Sequence, residues 1–230
     1  MTLYGVELIV ADDPEEVASI VADELGEAAR AGRAIALTGG TSPGRAYQLA
    51  AERQLDWSKA SLWWGDERCV PPDDERSNYK LARENLLDRL EAQPAEVRRI
   101  RGELGAGAAA DEYDALLQEV RLGFVLLGLG PDGHAASLFP NAPTLDEHER
   151  RAVPAEAKLE PFVDRVTMTV PVLSSAPEVL FIVTGPEKAE AAEQAFGRPP
   201  GPATPASLIR SAAGTTRVVA DRAAASGLLH

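Results

Sequence analysis

The chain is poor in cysteine, histidine and aromatic residues. Among its 230 residues, one is cysteine, three are histidine, and 5% are Phe, Trp or Tyr. The single cysteine, Cys69, can form no disulfide within the chain and cannot build a cysteine zinc site. We therefore expect a reducing environment and a cytoplasmic location.

Long apolar runs and an excess of positive charge are also missing. No stretch reaches the roughly 18 uncharged apolar residues that a membrane-spanning helix requires, and residues 1–7 do not resemble a secretory signal. The net charge of −13 argues against nucleic acid as a partner, because nucleic-acid-binding proteins present a basic face. An anionic ligand would need a local cluster of Arg, Lys and backbone N–H groups. We expect neither nucleic acid nor a membrane as a partner.

Apolar segments alternate with helical patterns along nearly the whole chain. Strands are predicted at residues 6–10, 34–37, 62–64, 124–127, 166–170, 179–183 and 217–220. Helices are predicted at residues 15–31, 43–51, 78–90, 109–120, 187–196 and 207–213. Several strands are continuously apolar, as strands covered on both faces are, so the pattern predicts a three-layer α/β fold with a mostly parallel sheet between helices.

Functional residues of such sheets lie at the carboxyl ends of the strands. The polar, proline-marked segment 140–161 is predicted to be an excursion over the surface. It does not break the alternation, so residues 1–230 are predicted to form a single domain.

The first candidate site follows the predicted strand at 34–37. In the turn Thr38-Gly39-Gly40-Thr41-Ser42, Ser42 is expected to cap a helix that begins at Pro43. Exposed N–H groups, hydroxyls and the helix dipole would form an anion site of phosphate size. A well-capped turn that binds nothing is the equally open alternative. The glycine spacing excludes a Walker loop.

The second candidate site is the charged triplet Asp66-Glu67-Arg68, which follows two tryptophans at the end of a predicted strand. Such triplets are often only solvated turns, but the dense polar sequence that follows favours a functional role. The guanidinium of Arg68 can donate two hydrogen bonds at once to a carboxylate or a phosphate. Ser77 is expected to cap the next helix.

The third motif, residues 128–134, follows the predicted strand at 124–127 and ends on His134. Histidine side chains titrate near pH ~6.5, so His134 is the candidate general acid or base at neutral pH. An isolated histidine is more often a helix cap, but the three glycines and Asp132 beside it favour function. The run also matches G-x-G-x-x-G. A dinucleotide is nevertheless not expected, because neither the long helix nor the acidic strand end of that fold follows.

Two isolated cations complete the set of candidates. Arg165 precedes the predicted strand at 166–170, and Lys188 lies near the start of the predicted helix at 187–196. Cations favour helix C-termini, so a lysine near an N-terminus indicates an anionic partner. A solvated lysine is the equally open alternative.

Taken together, these motifs resemble those of the 6-phosphogluconolactonase family, in order and over almost the whole chain. They are Gly39-Gly40-Thr41-Ser42-Pro43, Gly65-Asp66-Glu67-Arg68-x-Val70-Pro71, Ser77-Asn78-Tyr79, the run Gly128-x-Gly130-x-Asp132-Gly133-His134-x-Ala136-Ser137-Leu138-Phe139-Pro140, Arg165-Val166-Thr167-x-Thr169, Thr184-Gly185-x-x-Lys188 and Pro205-Ala206-Ser207. The family belongs to a larger group that includes the glucosamine-6-phosphate deaminases. The deaminases share the Gly-Asp-Gly-His arrangement, whereas the run Asp66-Glu67-Arg68-x-Val70-Pro71 and the triplet Ser77-Asn78-Tyr79 resemble the lactonase branch.

The resemblance implies a Rossmann-like fold and hydrolysis of 6-phospho-D-glucono-1,5-lactone to 6-phosphogluconate, the second step of the oxidative pentose phosphate route. His134 is then expected to be the general base, Asp132 to orient it or the water, and Asp66 to hold sugar hydroxyls or assist proton transfer. The expected substrate-binding residues are Gly39, Gly40, Thr41, Ser42, Arg68, Gly133, Arg165 and Lys188. No metal, nucleotide or other cofactor is expected, and the family leans toward monomers.

Two other functions stay open at this point. In an amino-sugar-phosphate isomerase or deaminase, Asp66 would take a proton from C2 and His134 would assist ring opening. A non-catalytic sugar-phosphate sensor would retain the pocket, although both Asp66 and His134 are intact. Covalent catalysis by Ser137 is not favoured, because its surroundings are not those of a nucleophile elbow.

Overall fold

The computed structural model describes residues 2–158 and 160–229 and is built around an eight-stranded sheet. The strands of this sheet are β1 (Thr2–Leu3), β2 (Val6–Ala11), β3 (Ala34–Leu37), β4 (Ser61–Trp64), β6 (Glu96–Arg98), β7 (Phe124–Gly128), β10 (Glu178–Val183) and β11 (Thr215–Asp221). Their order is β1-β2-β11-β10-β7-β3-β4-β6, and only the β1–β2 pair is antiparallel. The predicted strands of this sheet are confirmed to within two residues at each end.

A second, three-stranded antiparallel sheet lies beside the first. It consists of β5 (Asp66–Arg68), β9 (Arg165–Met168) and β8 (Ala152–Ala155). The strand predicted at 166–170 therefore belongs to this small sheet rather than to the parallel one. The surface excursion predicted at 140–161 contains β8, and one of its residues, Leu159, lies outside the described residues. The register places Arg68 opposite Arg165.

Helices cover the main sheet. They are α1 (Pro14–Arg30), α2 (Thr41–Glu52), α3 (Asn78–Asn85), α4 (Ala106–Leu117), α5 (Val170–Ser174) and α6 (Ala189–Phe196). Among the described residues, no helix is long and apolar enough to cross a membrane. The predicted three-layer, Rossmann-like α/β fold with a mostly parallel sheet is confirmed.

The helix predicted at 207–213 is wrong. This stretch contains only the end of a 3₁₀ turn, Pro205–Leu208. The Ser207 hydroxyl bonds to both the N–H and the carbonyl of Gly201, and such side-chain bonds to the backbone compete with helix formation.

The core is formed by strands that are buried on both faces. Residues 124–127 of β7 are fully inaccessible to solvent, as are Val218 and Val219 of β11. Burial of this kind is the dominant stabilising contribution to such a fold. It explains why continuous apolar runs marked these strands in the sequence.

The strand order reverses between β3 and β7. From β3 the sheet extends through β4 to β6, whereas β7 is followed on its other side by β10 and β11. At such a switch point the turns that leave neighbouring strands diverge and open a crevice. The turns after β3, β4, β7 and β10 carry the predicted site residues to this edge, except Arg165, which lies on β9 of the small sheet.

Two buried tyrosines hold the carboxyl ends of β3 and β4. The Tyr47 hydroxyl on α2 accepts from Thr38 N–H at 3.0 Å and donates to Thr38 O at 2.7 Å. The Tyr113 hydroxyl on α4 makes the same pair of bonds with Trp64, at 2.8 and 3.1 Å. Burial raises the pKa of both phenols well above its usual value, so each remains protonated and can donate. The tyrosines thus fix the points from which two site turns depart.

Replacing Tyr113 by Phe should therefore destabilise the protein. The change leaves the buried N–H of Trp64 without its partner, at a cost of about 1–3 kcal/mol in the free energy of unfolding. Urea unfolding measures the loss. Tyr79→Phe is the matched control, because the Tyr79 hydroxyl makes no hydrogen bond within the described part of the chain. Equal stability of the two variants would contradict the role given to Tyr113.

Candidate active site

A cavity of about 530 Å³ opens at the carboxyl edge of the main sheet. Its walls come from the turns after β3, β4 and β7, from β9, and from the segment after β10. The predicted site residues that line it are Gly39, Gly40, Asp66, Arg68, His134, Arg165 and Lys188. Segments far apart in sequence thus meet around one space.

A smaller cavity of about 110 Å³ adjoins the first at the start of α2. Thr41 and Ser42 line it, and Gly39, Gly40 and Lys188 border both cavities. The prediction that Ser42 caps the helix is wrong: α2 begins at Thr41 and its N-cap is Gly40, at φ 113°. Among the described residues no side chain caps this end, and the Ser42 hydroxyl instead bonds to Thr184 at 2.5 Å. The uncapped N–H groups and the helix dipole suit an anion.

His134 and Asp132 form a close pair in the turn after β7. His134 Nδ1 lies 2.5 Å from Asp132 Oδ1, which also accepts the backbone N–H of His134 at 3.1 Å. The histidine ring packs against Phe139, with 4.9 Å between ring centroids. Because Asp132 accepts the proton on Nδ1, the other ring nitrogen, Nε2, carries the lone pair that a general base needs.

The glycine at position 130 makes room for the imidazole. A Cβ atom on Gly130 would lie 2.0 Å from His134 Nδ1, so any other residue would displace the ring. Burial alone would raise the pKa of Asp132, but the hydrogen bond and charge of His134 outweigh burial and lower it. Asp132 therefore stays ionised beside the imidazole.

Two predicted residues face away from the main cavity. Asp132 and Gly133 line a separate groove of about 310 Å³ on the other side of the turn, together with Thr204 and Glu190. Asp132 still reaches the site through His134. Gly133, predicted to bind substrate, is not among the residues that line the main cavity.

Asp66 is buried and held on both carboxylate oxygens. Its Oδ2 accepts from Ser137 Oγ at 2.6 Å, and its Oδ1 accepts from Asn78 Nδ2 at 3.1 Å. Ser137 is fully buried, and its hydroxyl is used in this bond, so it is not a free nucleophile. Asn78 also donates to the Asp66 carbonyl and packs against Gly39, where a Cβ atom would lie 1.9 Å from Asn78 Oδ1.

Sequence reasoning had not assigned Asn78 or Ser137 to the site. Asn78 lies in the motif Ser77-Asn78-Tyr79, and Ser137 lies in the run after His134. Their place in motifs that resemble the family could have indicated a role in the site. Phe162 and Glu160 were also missed and line the cavity mouth, where Phe162 is 68% exposed. They lie in an irregular segment without a recognisable pattern.

Glu67 has a structural role instead. Its carboxylate accepts from the backbone N–H groups of Asn78 and Tyr79, at 2.7 and 2.8 Å, and from the Ser77 hydroxyl. Burial raises the pKa of Glu67, although these bonds oppose that shift. Ser77 caps α3 as predicted, since its hydroxyl accepts from Lys80 N–H at 3.1 Å.

The cavity concentrates positive charge in an acidic protein. Burial and the charge of Arg68 lower the pKa of Arg165, while Asp66 opposes the shift. The Arg165 guanidinium lies 5.6 Å from the centre of the Phe139 ring. Burial also lowers the pKa of Lys188, against the charges of Glu187 and Asp132. The local cation cluster that an anionic ligand would need is therefore present despite the net charge of −13.

Comparisons with known proteins show which family this chain resembles in sequence and fold. A 6-phosphogluconolactonase of Mycobacterium leprae is 38% identical over 194 residues, covering 78% of each chain. A probable chloroplastic 6-phosphogluconolactonase of rice (Oryza sativa subsp. indica) is 34% identical over 83% of this chain, which spans just under two thirds, 66%, of the rice protein. The solved 6-phosphogluconolactonase of Trypanosoma brucei is 25% identical and superposes with a TM-score of 0.87, covering 97% of this chain and 98% of that one.

The family model described as "Glucosamine-6-phosphate isomerases/6-phosphogluconolactonase" matches residues 12–218. This match includes every turn that forms the cavity. The chain therefore belongs to the glucosamine-6-phosphate isomerase/6-phosphogluconolactonase family.

Proposed function

We propose that the protein hydrolyses 6-phospho-D-glucono-1,5-lactone to 6-phospho-D-gluconate, the second step of the oxidative pentose phosphate route. The observation that carries the proposal is the 2.5 Å pair of His134 and Asp132 beside a cavity lined by cations. The names of the M. leprae and T. brucei relatives support the same reaction.

In this reaction His134 acts on water. Its Nε2 accepts a proton as the water oxygen bonds to the lactone carbonyl carbon, and negative charge collects on the carbonyl oxygen. We assign the oxyanion to the N–H of Gly39, which lines the cavity and donates no hydrogen bond within the described part of the chain. The bond from C1 to the ring oxygen then breaks, and the proton held by His134 passes to that oxygen. Asp132 stabilises the imidazolium that forms in between.

The phosphate is assigned to the smaller cavity and its rim. The uncapped start of α2 supplies N–H donors from Gly40, Thr41 and Ser42, and Lys188 supplies a positive charge that borders both cavities. Arg165 and Arg68 supply further positive charge on the wall formed by the small sheet. Asp66, held by Ser137 and Asn78, is left to accept hydrogen bonds from the sugar hydroxyls.

A deaminase of an amino-sugar phosphate is the second candidate. Asp66 and His134 line the same cavity, as proton abstraction at C2 with assisted ring opening requires, and the family includes glucosamine-6-phosphate isomerases. Release of ammonia from glucosamine 6-phosphate, without acceleration of lactone hydrolysis, would establish this function instead. The names of the M. leprae and T. brucei relatives favour the lactone.

Several expectations from the sequence stay predictions. They are the cytoplasmic location, the monomeric state, the lack of a nucleic-acid or membrane partner, and a reaction that uses no metal or other cofactor.

Replacing His134 by Ala should remove most turnover. Loss of a general base lowers kcat by about 100-fold or more, while affinity for 6-phosphogluconate stays within about threefold because the phosphate contacts remain. The measurement is the disappearance of freshly generated lactone, with spontaneous hydrolysis subtracted. The exposed His148→Ala is the control. Lost product binding with unchanged turnover at saturation would contradict the assignment.

Replacing Lys188 or Arg165 should act mainly on binding. A phosphate remote from the reacting carbonyl contributes similar binding energy to substrate and transition state, so Lys188→Met and Arg165→Ala should raise KM about tenfold with little change in kcat. Lys59→Met, an exposed lysine outside both cavities, is the control. If neither change alters KM, the phosphate lies elsewhere.

Binding of 6-phosphogluconate should weaken as the pH rises. Burial lowers the pKa of Lys188, so its ammonium loses the proton, and its attraction for phosphate, below the usual lysine value of about 10.4. Calorimetric titrations between about pH 7 and about pH 10 measure this loss, which should be absent in Lys188→Arg because a guanidinium stays protonated there. The same pH dependence in both proteins would assign the effect to another group.

A further inference from the structure

We propose that Arg210 is a positioning residue for the His134 turn, acting through residues 201–210, here called the supporting segment. This inference deepens the proposed lactonase function, and its kinetic test rests on that function. The turn at residues 130–134 is closed by bonds within itself, from Gly130 N–H to His134 O at 2.8 Å and from Gly133 N–H to Gly130 O at 3.0 Å. These bonds shape the turn but do not orient it against the rest of the site.

The supporting segment supplies that orientation. The N–H of Ala206 donates to the carbonyl of Gly133 at 3.0 Å. Gly133 has φ +83°, and a Cβ atom there would lie 2.6 Å from the methyl group of Thr204. The residue directly before His134 is therefore held by a hydrogen bond and by close packing.

The supporting segment is itself held in shape by Ser207. This residue is fully buried, and its hydroxyl accepts from Gly201 N–H at 2.9 Å and donates to Gly201 O at 3.1 Å. The motif Pro205-Ala206-Ser207 was part of the family resemblance, but no role had been assigned to it. It forms the contact with Gly133.

Arg210 ties the supporting segment to α6. Its Nη1 donates to Ala206 O at 3.0 Å, and its Nη2 donates to Ala195 O, in the last turn of α6, at 2.8 Å. The guanidinium also lies 5.6 Å from the centre of the Phe196 ring. Among the described residues, Arg210 contacts backbone carbonyls and this ring, and no carboxylate forms an ion pair with it. Burial lowers the pKa of Arg210 to about 10, so it is charged at neutral pH.

The position of α6 explains why this connection matters for function. The helix begins at Ala189, directly after Lys188, so one guanidinium joins the helix that follows the phosphate-binding lysine to the turn that carries the base. The planar guanidinium of arginine carries several N–H donors in fixed positions, so it can bridge carbonyls on two segments. A lysine ammonium cannot reproduce this geometry. Arg210→Lys therefore retains the charge and removes the bridge.

The first test needs no substrate. In a two-dimensional ¹H–¹⁵N spectrum of the histidine side chains, the Nδ1 signal of His134 reports its hydrogen bond to Asp132. We expect Arg210→Lys to shift or broaden this signal, while the signals of the exposed His148 stay unchanged. Arg222→Lys, an exposed arginine paired with Asp12, should leave both histidines unchanged. A His134 signal identical in wild type and Arg210→Lys would overturn the proposal.

The second test is kinetic. Misplacement of the base should lower kcat for the lactone roughly 10- to 100-fold in Arg210→Lys. Affinity for 6-phosphogluconate should stay within about threefold. Unchanged kcat, or kcat and affinity lost together, would overturn the positioning role. If Arg210→Lys does not fold, Ser207→Ala takes its place with the same expected pattern. If the wild type does not hydrolyse the lactone, the proposed function fails, and the histidine spectra still decide the positioning role.

Discussion

The buried carboxylate of Asp66 joins the segments on which the site depends. It accepts a hydrogen bond from Ser137, three residues after His134, and another from Asn78 at the start of α3. Asn78 in turn packs so closely on Gly39 that no Cβ atom fits there. A buried carboxylate without donors would be very costly, so these bonds stabilise the fold and the site together. The turns after β3, β4 and β7 are thereby held around one cavity.

The arrangement reconciles an acidic protein with an anionic ligand. Cations are gathered where the chain also leaves a helix N-terminus uncapped, so charge and backbone dipole act on the same space. Arg68 lies opposite Arg165 on adjacent strands, and burial together with the charge of Arg68 lowers the pKa of Arg165, while Asp66 opposes the shift.

The proposed base, His134, is oriented at two levels. Asp132 selects the tautomer of His134, and Gly130 leaves room for the ring. Behind them, Ala206 contacts Gly133, and Arg210 connects that contact to α6. A catalytic group is effective only when its neighbours hold its geometry closely, and here those neighbours come from a part of the chain about 70 residues away.

The sequence alone determined the parallel sheet, because strands buried on both faces read as continuous apolar runs. It also identified the glycine turns, His134 and the cations, since their chemistry is visible in single residues. It missed β5, whose three residues are all charged, and β6, whose residues are exposed, because neither carries a hydrophobic signal, and it placed the cap of α2 at Ser42 instead of Gly40. Only the tertiary structure showed that Ser137 and Asn78 hold Asp66 and that Gly133 faces the supporting segment. Those contacts join residues distant in sequence, and which distant residues meet is decided by packing and strand order rather than by local pattern.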